Sequence, residues 1–219
     1  MQHAALGIDL GTTTSLAAVV DSSGRPQMVP GPRGSHLIPS ALYFDQHVLV
    51  GEPALELGLR DPQGLADAFK RDIGKPHYNR EVRSAQVPPE VLTAFLIRHL
   101  MSNVRESYGA MNSAVVTVPA YFDERKRTAT QQAALLAGLE VLDIINEPTA
   151  AAIALGHEMM LQQQPADKPR RLLVYDLGGG TFDVTLLEFA DRTFRALATD
   201  VDIHLGGRDF DERLLNIIA

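Results

Sequence analysis

Apolar and polar positions along this chain alternate between two rhythms. Runs of strand character cover roughly 4–9, 14–20, 41–50, 113–118, 140–145, 172–176, 182–189 and 193–201. Between them the apolar spacing becomes helical. Residues 89–108 place Val91, Leu92, Phe95, Leu96, His99, Leu100 and Val104 near one helical face, with Pro89 in the first turn. A second helix is predicted over 123–138, from Asp123 as N-cap to a stop at Gly138. A third starts at Pro148 and runs through an alanine-rich stretch to Leu161. A fourth covers 207–218, apolar at Phe210, Leu214, Leu215 and Ile218. Strands alternating with helices after an opening hairpin predict an α/β fold with a mixed sheet. Residues 51–88, rich in Gly and Pro with two short helical pieces, read as an insertion on the first lobe. The polar, proline-punctuated stretch 162–170 reads as a surface loop at the crossover between lobes, with a flexible linker between independent domains as the alternative.

One phrase occurs twice. Ile8-Asp9-Leu10-Gly11-Thr12-Thr13-Thr14 and Tyr175-Asp176-Leu177-Gly178-Gly179-Gly180-Thr181 each follow an apolar run and precede a half-apolar one. Each is strand, tight turn, strand, with an aspartate near the end of the first strand. Turn glycines let backbone N–H groups approach a phosphate closely, and threonine hydroxyls add donors. A carboxylate repels phosphate, so Asp9 and Asp176 read as holding a hydrated Mg²⁺ or the attacking water. The plain alternative is that both are strand-end turn caps. Two copies suggest two related lobes gripping one polyphosphate.

Bulk composition narrows the classes. The 219 residues are 45% hydrophobic and 21% charged, as in soluble globular proteins with a sizeable core. No stretch approaches the roughly 20 apolar residues of a membrane span, and no basic-then-apolar secretory leader opens the chain. The absence of cysteine excludes disulfides and thiol catalysis and suits a cytoplasmic setting. A net charge of −7 argues against a general nucleic-acid binder. Neither a membrane nor a nucleic acid is an expected partner. The seven histidines are scattered and read as surface or locally bonded residues rather than zinc ligands.

Four further segments complete a pattern: Phe69-Lys70-Arg71-Asp72-Ile73-Gly74, Val116-Thr117-Val118-Pro119-Ala120-Tyr121-Phe122, Ile145-Asn146-Glu147-Pro148-Thr149-Ala150-Ala151-Ala152 and Leu205-Gly206-Gly207-Arg208-Asp209-Phe210. With the two glycine loops, in this order, they resemble the nucleotide-binding domain of DnaK-type chaperones, the heat shock protein 70 family. The match runs from about residue 5 to the last residue. It implies an actin-like ATPase (ribonuclease H-like) fold, with 1–170 as the first lobe, a short outer subdomain at about 39–88, and 171–219 as the incomplete start of the second lobe. It also implies a cytoplasmic ATPase that assists protein folding and the stress response, with ATP or ADP, Mg²⁺ and K⁺ as cofactors.

The resemblance assigns roles to single residues. Gly11, Thr12, Thr13 and Thr14 would line the first phosphate loop, and Gly178, Gly179, Gly180 and Thr181 the second, with Gly206 and Gly207 beside the nucleotide. Asp9 and Asp176 would hold the hydrated Mg²⁺, and Asp183 a potassium ion with Asp9. Lys70 would reach the γ-phosphate, Thr181 would orient the attacking water, and Glu147 would complete the polar shell. Pro119 and Arg127 would relay the γ-phosphate state towards an interdomain linker. Each has a plain alternative: Lys70 a solvated charge, Glu147 a helix N-terminal acid, Pro119 a strand terminator, Arg127 a helix-face ion pair. His204 is left structural.

Departures refine the reading. Thr14 stands where the family has Asn or Tyr, Leu16 where DnaK itself often has Cys, and Arg208 where an acid is usual. The short separation of Lys70 from Pro119 is closest to the HscC-like branch and puts docking of a DnaK-style exchange factor in doubt. The family's domain continues past Ala219, so the chain reads as a truncated domain, weak or inactive alone. If the second lobe does not fold, its apolar strand edges would drive self-association. In the intact protein the partners would be a peptide-binding domain, client polypeptides and a J-domain co-chaperone. Competing readings are a sugar or acetate kinase-like phosphotransferase, disfavoured by the 116–122 and 145–152 segments, and an actin-like nucleotide-binding scaffold. No GxGxxG opens a helix and no GxxxxGK[ST] occurs, so Rossmann and P-loop classes are set aside.

Overall fold

The computed structural model describes residues 5–161, 169–190 and 193–218. In chain order its elements are β1 (Leu6–Leu10), β2 (Thr14–Val20), β3 (Pro26–Met28), β4 (Ile38–Pro39), β5 (Ala41–Phe44), β6 (Val48–Val50), α1 (Glu52–Gly58), β7 (Leu65–Asp67), α2 (Pro89–Tyr108), β8 (Ser113–Val118), α3 (Glu124–Leu136), β9 (Glu140–Asn146), α4 (Glu147–Leu161), β10 (Arg170–Leu177), β11 (Phe182–Ala190), β12 (Thr193–Asp202) and α5 (Gly207–Ile218). Single 3₁₀ turns add 62–64 and 69–72. Most of the 162–170 stretch lies outside the described residues. The described residues fall into two compact units. One comprises Met1–Val116 with Phe122–Ile144, the other Thr117–Tyr121 with Ile145–Ala219. Helix α4, which the sequence reading placed at the end of the first lobe, belongs to the second of these units.

In the first unit a six-stranded mixed sheet runs β3-β2-β1-β8-β9, with β4 also paired to β2. Strict alternation in β1 buries Leu6, Ile8 and Leu10 on one face, leaving Asp9 on the other. The buried face joins Ala17 and Val19 of β2 and Ala114 and Val116 of β8. Leu92, Leu96, Ile97, Leu100 and Val104 of α2 and Ala133 and Ala134 of α3 complete that core. The face of α2 is rotated from the predicted one. Thr93, Ile97 and Asn103 are buried, whereas Val91, Phe95 and His99 are only partly so. Thr93 satisfies its hydroxyl on the Pro89 carbonyl one turn back (2.8 Å), which makes burial tolerable. Helix α3 is capped as predicted: the Asp123 carboxylate accepts from the Lys126 N–H at 2.9 Å. The chain leaves it through Gly138 at φ +90°.

A small outer sheet, β6-β5-β7, is packed by α1 around Ala41, Tyr43 and Ala54. The single strand predicted over 41–50 is therefore two, β5 and β6, folded back on each other with Phe44 opposite Val48. Polar Asp45-Gln46-His47 forms the turn. Two Tyr–Arg–Asp clusters fasten this region. The Tyr43 hydroxyl donates to Asp61 (2.9 Å) and accepts from Arg83 (2.9 Å), and the Tyr78 hydroxyl lies against Asp67 and Arg80.

In the second unit β10, β11 and β12 form an antiparallel sheet. Helix α4 packs on β10 and β12, and begins at Glu147 rather than the predicted Pro148. Gly156 of α4 is needed there: a Cβ would stand 2.9 Å from the Phe194 ring, which stacks on Phe189 at 4.6 Å. On the opposite face of β10, Leu173, Tyr175 and Leu177 are exposed, and no residue of α5 is buried.

Candidate functional site

The repeated phrase forms two hairpins of one design. In the first, Leu10 pairs with Ser15 across residues 11–14; in the second, Leu177 pairs with Phe182 across residues 178–181. Each loop has the same length, and each aspartate sits one residue before the last strand pair. Asp9 faces Leu16, whereas Asp176 faces Asp183 directly. Two carboxylates opposite one another on neighbouring strands repel, and Asp183 is only 3% exposed. That pair suits a cation. A hydrated Mg²⁺ takes one or two carboxylates with water and phosphate completing its shell. The fit does not require a full protein cage, and no group of three potential metal ligands occurs among the described residues.

The first loop is gripped from behind. Ser40, between β4 and β5, donates its hydroxyl to the Gly11 carbonyl (2.8 Å) and its N–H to the Thr13 carbonyl (2.8 Å). Its hydroxyl also meets that of Ser15 at 2.9 Å, and Ser15 Oγ accepts from the Gly11 N–H at 3.1 Å. Ser15 and Ser40 are both buried. Gly11 is required by close approach, since a Cβ there would lie 2.1 Å from the Thr14 carbonyl oxygen.

Backbone groups grip the second loop. The Gly178 N–H bonds the Thr181 carbonyl at 2.9 Å. The first amides of α5, on Gly207 and Arg208, donate to the carbonyls of Gly178 (3.1 Å) and Gly179 (3.0 Å). Gly206 lies flat against the loop. A Cβ on it would be 2.6 Å from the Gly180 nitrogen and 2.9 Å from the Gly178 oxygen. In both hairpins two loop carbonyls are thus engaged from behind. Tight turns of this kind are a common setting for anion binding by successive backbone N–H groups, although here the Gly11 and Gly178 N–H groups are taken by Ser15 and Thr181.

Lys70 sits on the 3₁₀ turn 69–72, entered through Ala68 in the left-handed region at φ +51°. Its ammonium lies 5.9 Å from the centre of the Phe122 ring, with Lys126 on the same ring at 5.2 Å. Asp72 ends the turn. It is buried and accepts from Lys75 Nζ (2.7 Å) and the Asn79 N–H (3.1 Å). Gly74 follows at φ +82°, its N–H donating to Glu90 at 3.1 Å.

Of the sequence candidates, Asp9, Gly11 to Thr14, Lys70 and Arg127 lie in the first unit. Pro119, Glu147, Asp176, Gly178 to Thr181, Asp183, Gly206 and Gly207 lie in the second. Pro119 is buried immediately after β8. Arg127 donates to the Phe122 carbonyl at 3.1 Å and borders a groove of about 280 Å³ with Asp143 and Gln131. Sequence reasoning gave no role to Ser15, Ser40 or Asp72. The serines are 25 residues apart and join only in three dimensions.

Residues 5–219 match the family described as Hsp70 protein. Among curated proteins the chain is 42% identical over 218 residues to the chaperone protein DnaK of Thermotoga neapolitana, covering 98% of this chain and 35% of that protein. It is 42% identical over 221 residues to the chaperone protein DnaK of Thermoplasma acidophilum, again 98% and 35%. For the chaperone protein DnaK of Endomicrobium trichonymphae the values are 40% over 222 residues, 98% and 34%. The chain thus spans about a third of the length of these relatives, 34–35%. The mixed α/β architecture is the actin-like ATPase fold, and this chain belongs to the Hsp70 family.

Proposed function

We propose that the chain supplies nucleotide-phosphate contacts of an ATP-binding, ATP-hydrolysing domain in a DnaK-type chaperone. The observation that carries this is the shared build of the two hairpins. Loops of equal length follow an aspartate, and each has loop carbonyls engaged by hydrogen bonds, which supports the reading that other N–H groups of each loop face an anion. On this reading Gly11 to Thr14 and Gly178 to Thr181 hold phosphate oxygens, and Thr181 adds a hydroxyl for the attacking water. Asp9 at the first hairpin, and Asp176 and Asp183 paired across β10 and β11 at the second, are the acids that hold cations on this reading, and Gly206 and Gly207 support the second loop. Mg²⁺ would supply charge neutralisation on the phosphates, and K⁺ is placed by the same acids. Lys70 contributes positive charge to the γ-phosphate, and Glu147 orients water. The protein's work is positioning and electrostatic stabilisation, with no covalent step on the enzyme.

Pro119 and Arg127 are proposed to report nucleotide state to the rest of the protein. There a peptide-binding domain, client polypeptides and a J-domain co-chaperone in the cytoplasm complete the chaperone cycle. The Leu16, Phe69-Lys70-Arg71 and short Lys70-to-Pro119 features place the chain nearest the HscC-like branch on this reading. The proposed lobe boundary remains near residue 170, with the outer sheet as the short subdomain.

Calorimetric titration of Mg-ATP and Mg-ADP tests the proposal, using this chain, its Lys70→Ala variant and the chain carried within a full-length protein. The reading expects binding at least in the longer protein, with Lys70→Ala weakening ATP more than ADP. Absence of binding in both lengths refutes it. Turnover that required a sugar or acetate acceptor would favour the kinase reading instead.

A further inference from the structure

Ser40 joins the outer sheet to the first loop. Its N–H and hydroxyl hold the carbonyls of Thr13 and Gly11. The next residue, Ala41, opens β5 and stands directly opposite Asp67, the last residue of β7. Asp67 is followed by Ala68 and then by the turn that carries Lys70. Much of the path is buried. Ser40, Ala41, Ala66 and Phe69 are all buried, none more than 3% exposed. Asp67 is held through both its backbone groups: its N–H donates to the Tyr78 hydroxyl (3.2 Å), which in turn donates to its carbonyl (2.8 Å). Its carboxylate is paired with Arg80. Beyond Lys70, the turn is closed by buried Asp72, fixed by Lys75 and the Asn79 N–H.

We infer that Ser40 is a positioning residue that sets the Lys70 turn in register with the first phosphate loop. This rests on the nucleotide reading above for its purpose, though not for its geometry. Lys70 rides on a small sheet whose β5 continues directly from the residue bonded to the loop. A shift of β5 along its own axis would carry β7 and Lys70 with it, and Ser40 is the point where such a shift is blocked. Ser15 has a narrower part. It reinforces the loop through the Gly11 N–H and, among the described hydrogen bonds, reaches β5 by way of the Ser40 hydroxyl.

Hydrogen exchange by mass spectrometry on the nucleotide-free chain tests this, comparing Ser40→Ala, Ser40→Thr and Ser15→Ala with the unsubstituted protein. Loss of one buried hydroxyl donor at Gly11 corresponds to about tenfold faster local opening. The expected result for Ser40→Ala is about tenfold faster exchange in peptides spanning 9–16 and 65–72, with α3 and β11 unchanged. Ser40→Thr, which keeps the donor, restores both peptides. Ser15→Ala speeds only the first. Acceleration of 9–16 alone in Ser40→Ala overturns the coupling, and so does uniform acceleration along the chain, which would mark a merely structural serine. If neither this chain nor the full-length protein binds Mg-ATP, the functional reading falls while the exchange result still decides the coupling.

Discussion

In the first hairpin the loop is held from behind by a side chain, in the second by the beginning of a helix. Ser40 brings one hydroxyl and one amide to the carbonyls of Gly11 and Thr13, while Gly207 and Arg208 bring two amides to those of Gly178 and Gly179. In both cases loop carbonyls are engaged, by different materials. The difference lies in what each grip is tied to. The side-chain grip ties the loop to the outer sheet and the Lys70 turn; the backbone grip ties it to α5. The two hairpin loops are therefore tied to different parts of the chain.

The comparison breaks most sharply at the glycines. Gly206→Ala places a methyl group against backbone atoms of Gly178, Gly179 and Gly180, none of which can rotate away. A destabilisation of the second loop of about 3 kcal/mol is expected, with the first loop untouched. Hydrogen exchange over 178–183 against 9–16 measures it, and equal effects on both would erase the distinction drawn here.

A second pair of substitutions compares the loops at the same position. Gly11→Ala forces a methyl to within 2.1 Å of the Thr14 carbonyl oxygen, whereas at Gly178 the nearest contact is 3.4 Å, to the Thr181 carbonyl oxygen. The first should cost about 2–3 kcal/mol and the second well under about 1 kcal/mol. Thermal unfolding of the two variants side by side checks the order, and a more damaging Gly178→Ala would contradict it.

The smallest expected effect separates the two units by pH. Burial holds the His99 imidazole on α2 below its ordinary value of 6.5, opposed by the charges of Glu52 and Glu106. The unfolded chain then takes up this proton before the folded one. Stability of the first unit falls as pH drops through about 6.5, and the contribution is fully present above it. His99→Gln should flatten that part of the acid slope. An unchanged denaturant midpoint profile between pH 7 and pH 5, relative to the parent, would show that His99 plays no part.

Much of this was legible in the chain. Period-two patterning around Asp9 and Asp176 gave both hairpins, and the Asp123 cap and Gly138 stop gave α3 to within two residues. The helix 89–108 was placed correctly, though its buried face was not, because Thr93 and Asn103 count as polar in a pattern but are buried in the fold. A run of apolar residues over 41–50 concealed a three-residue polar turn, since hydrophobicity on both sides of a hairpin looks like one long strand. The glycine pair 206–207 and the lysine turn were singled out through family resemblance alone. Their roles depend on approaches between distant backbones, for which single-sequence periodicity has no term. The Ser15–Ser40 contact was invisible for the same reason.

The apolar surface that the second unit exposes in this chain by itself has a thermal consequence. Ile217 and Ile218 of α5 are 80% and 81% exposed, and Leu173 and Tyr175 of β10 are 66% and 64% exposed. These side chains are already hydrated when the unit is folded, so melting it brings comparatively little new apolar surface into water. Because that newly wetted surface sets the heat-capacity increment, the second unit should unfold with a smaller increment per residue than the first. Its stability would then vary with temperature along a flatter curve, less penalised by cold than the densely buried sheet and helices around Leu92, Ile97 and Leu100.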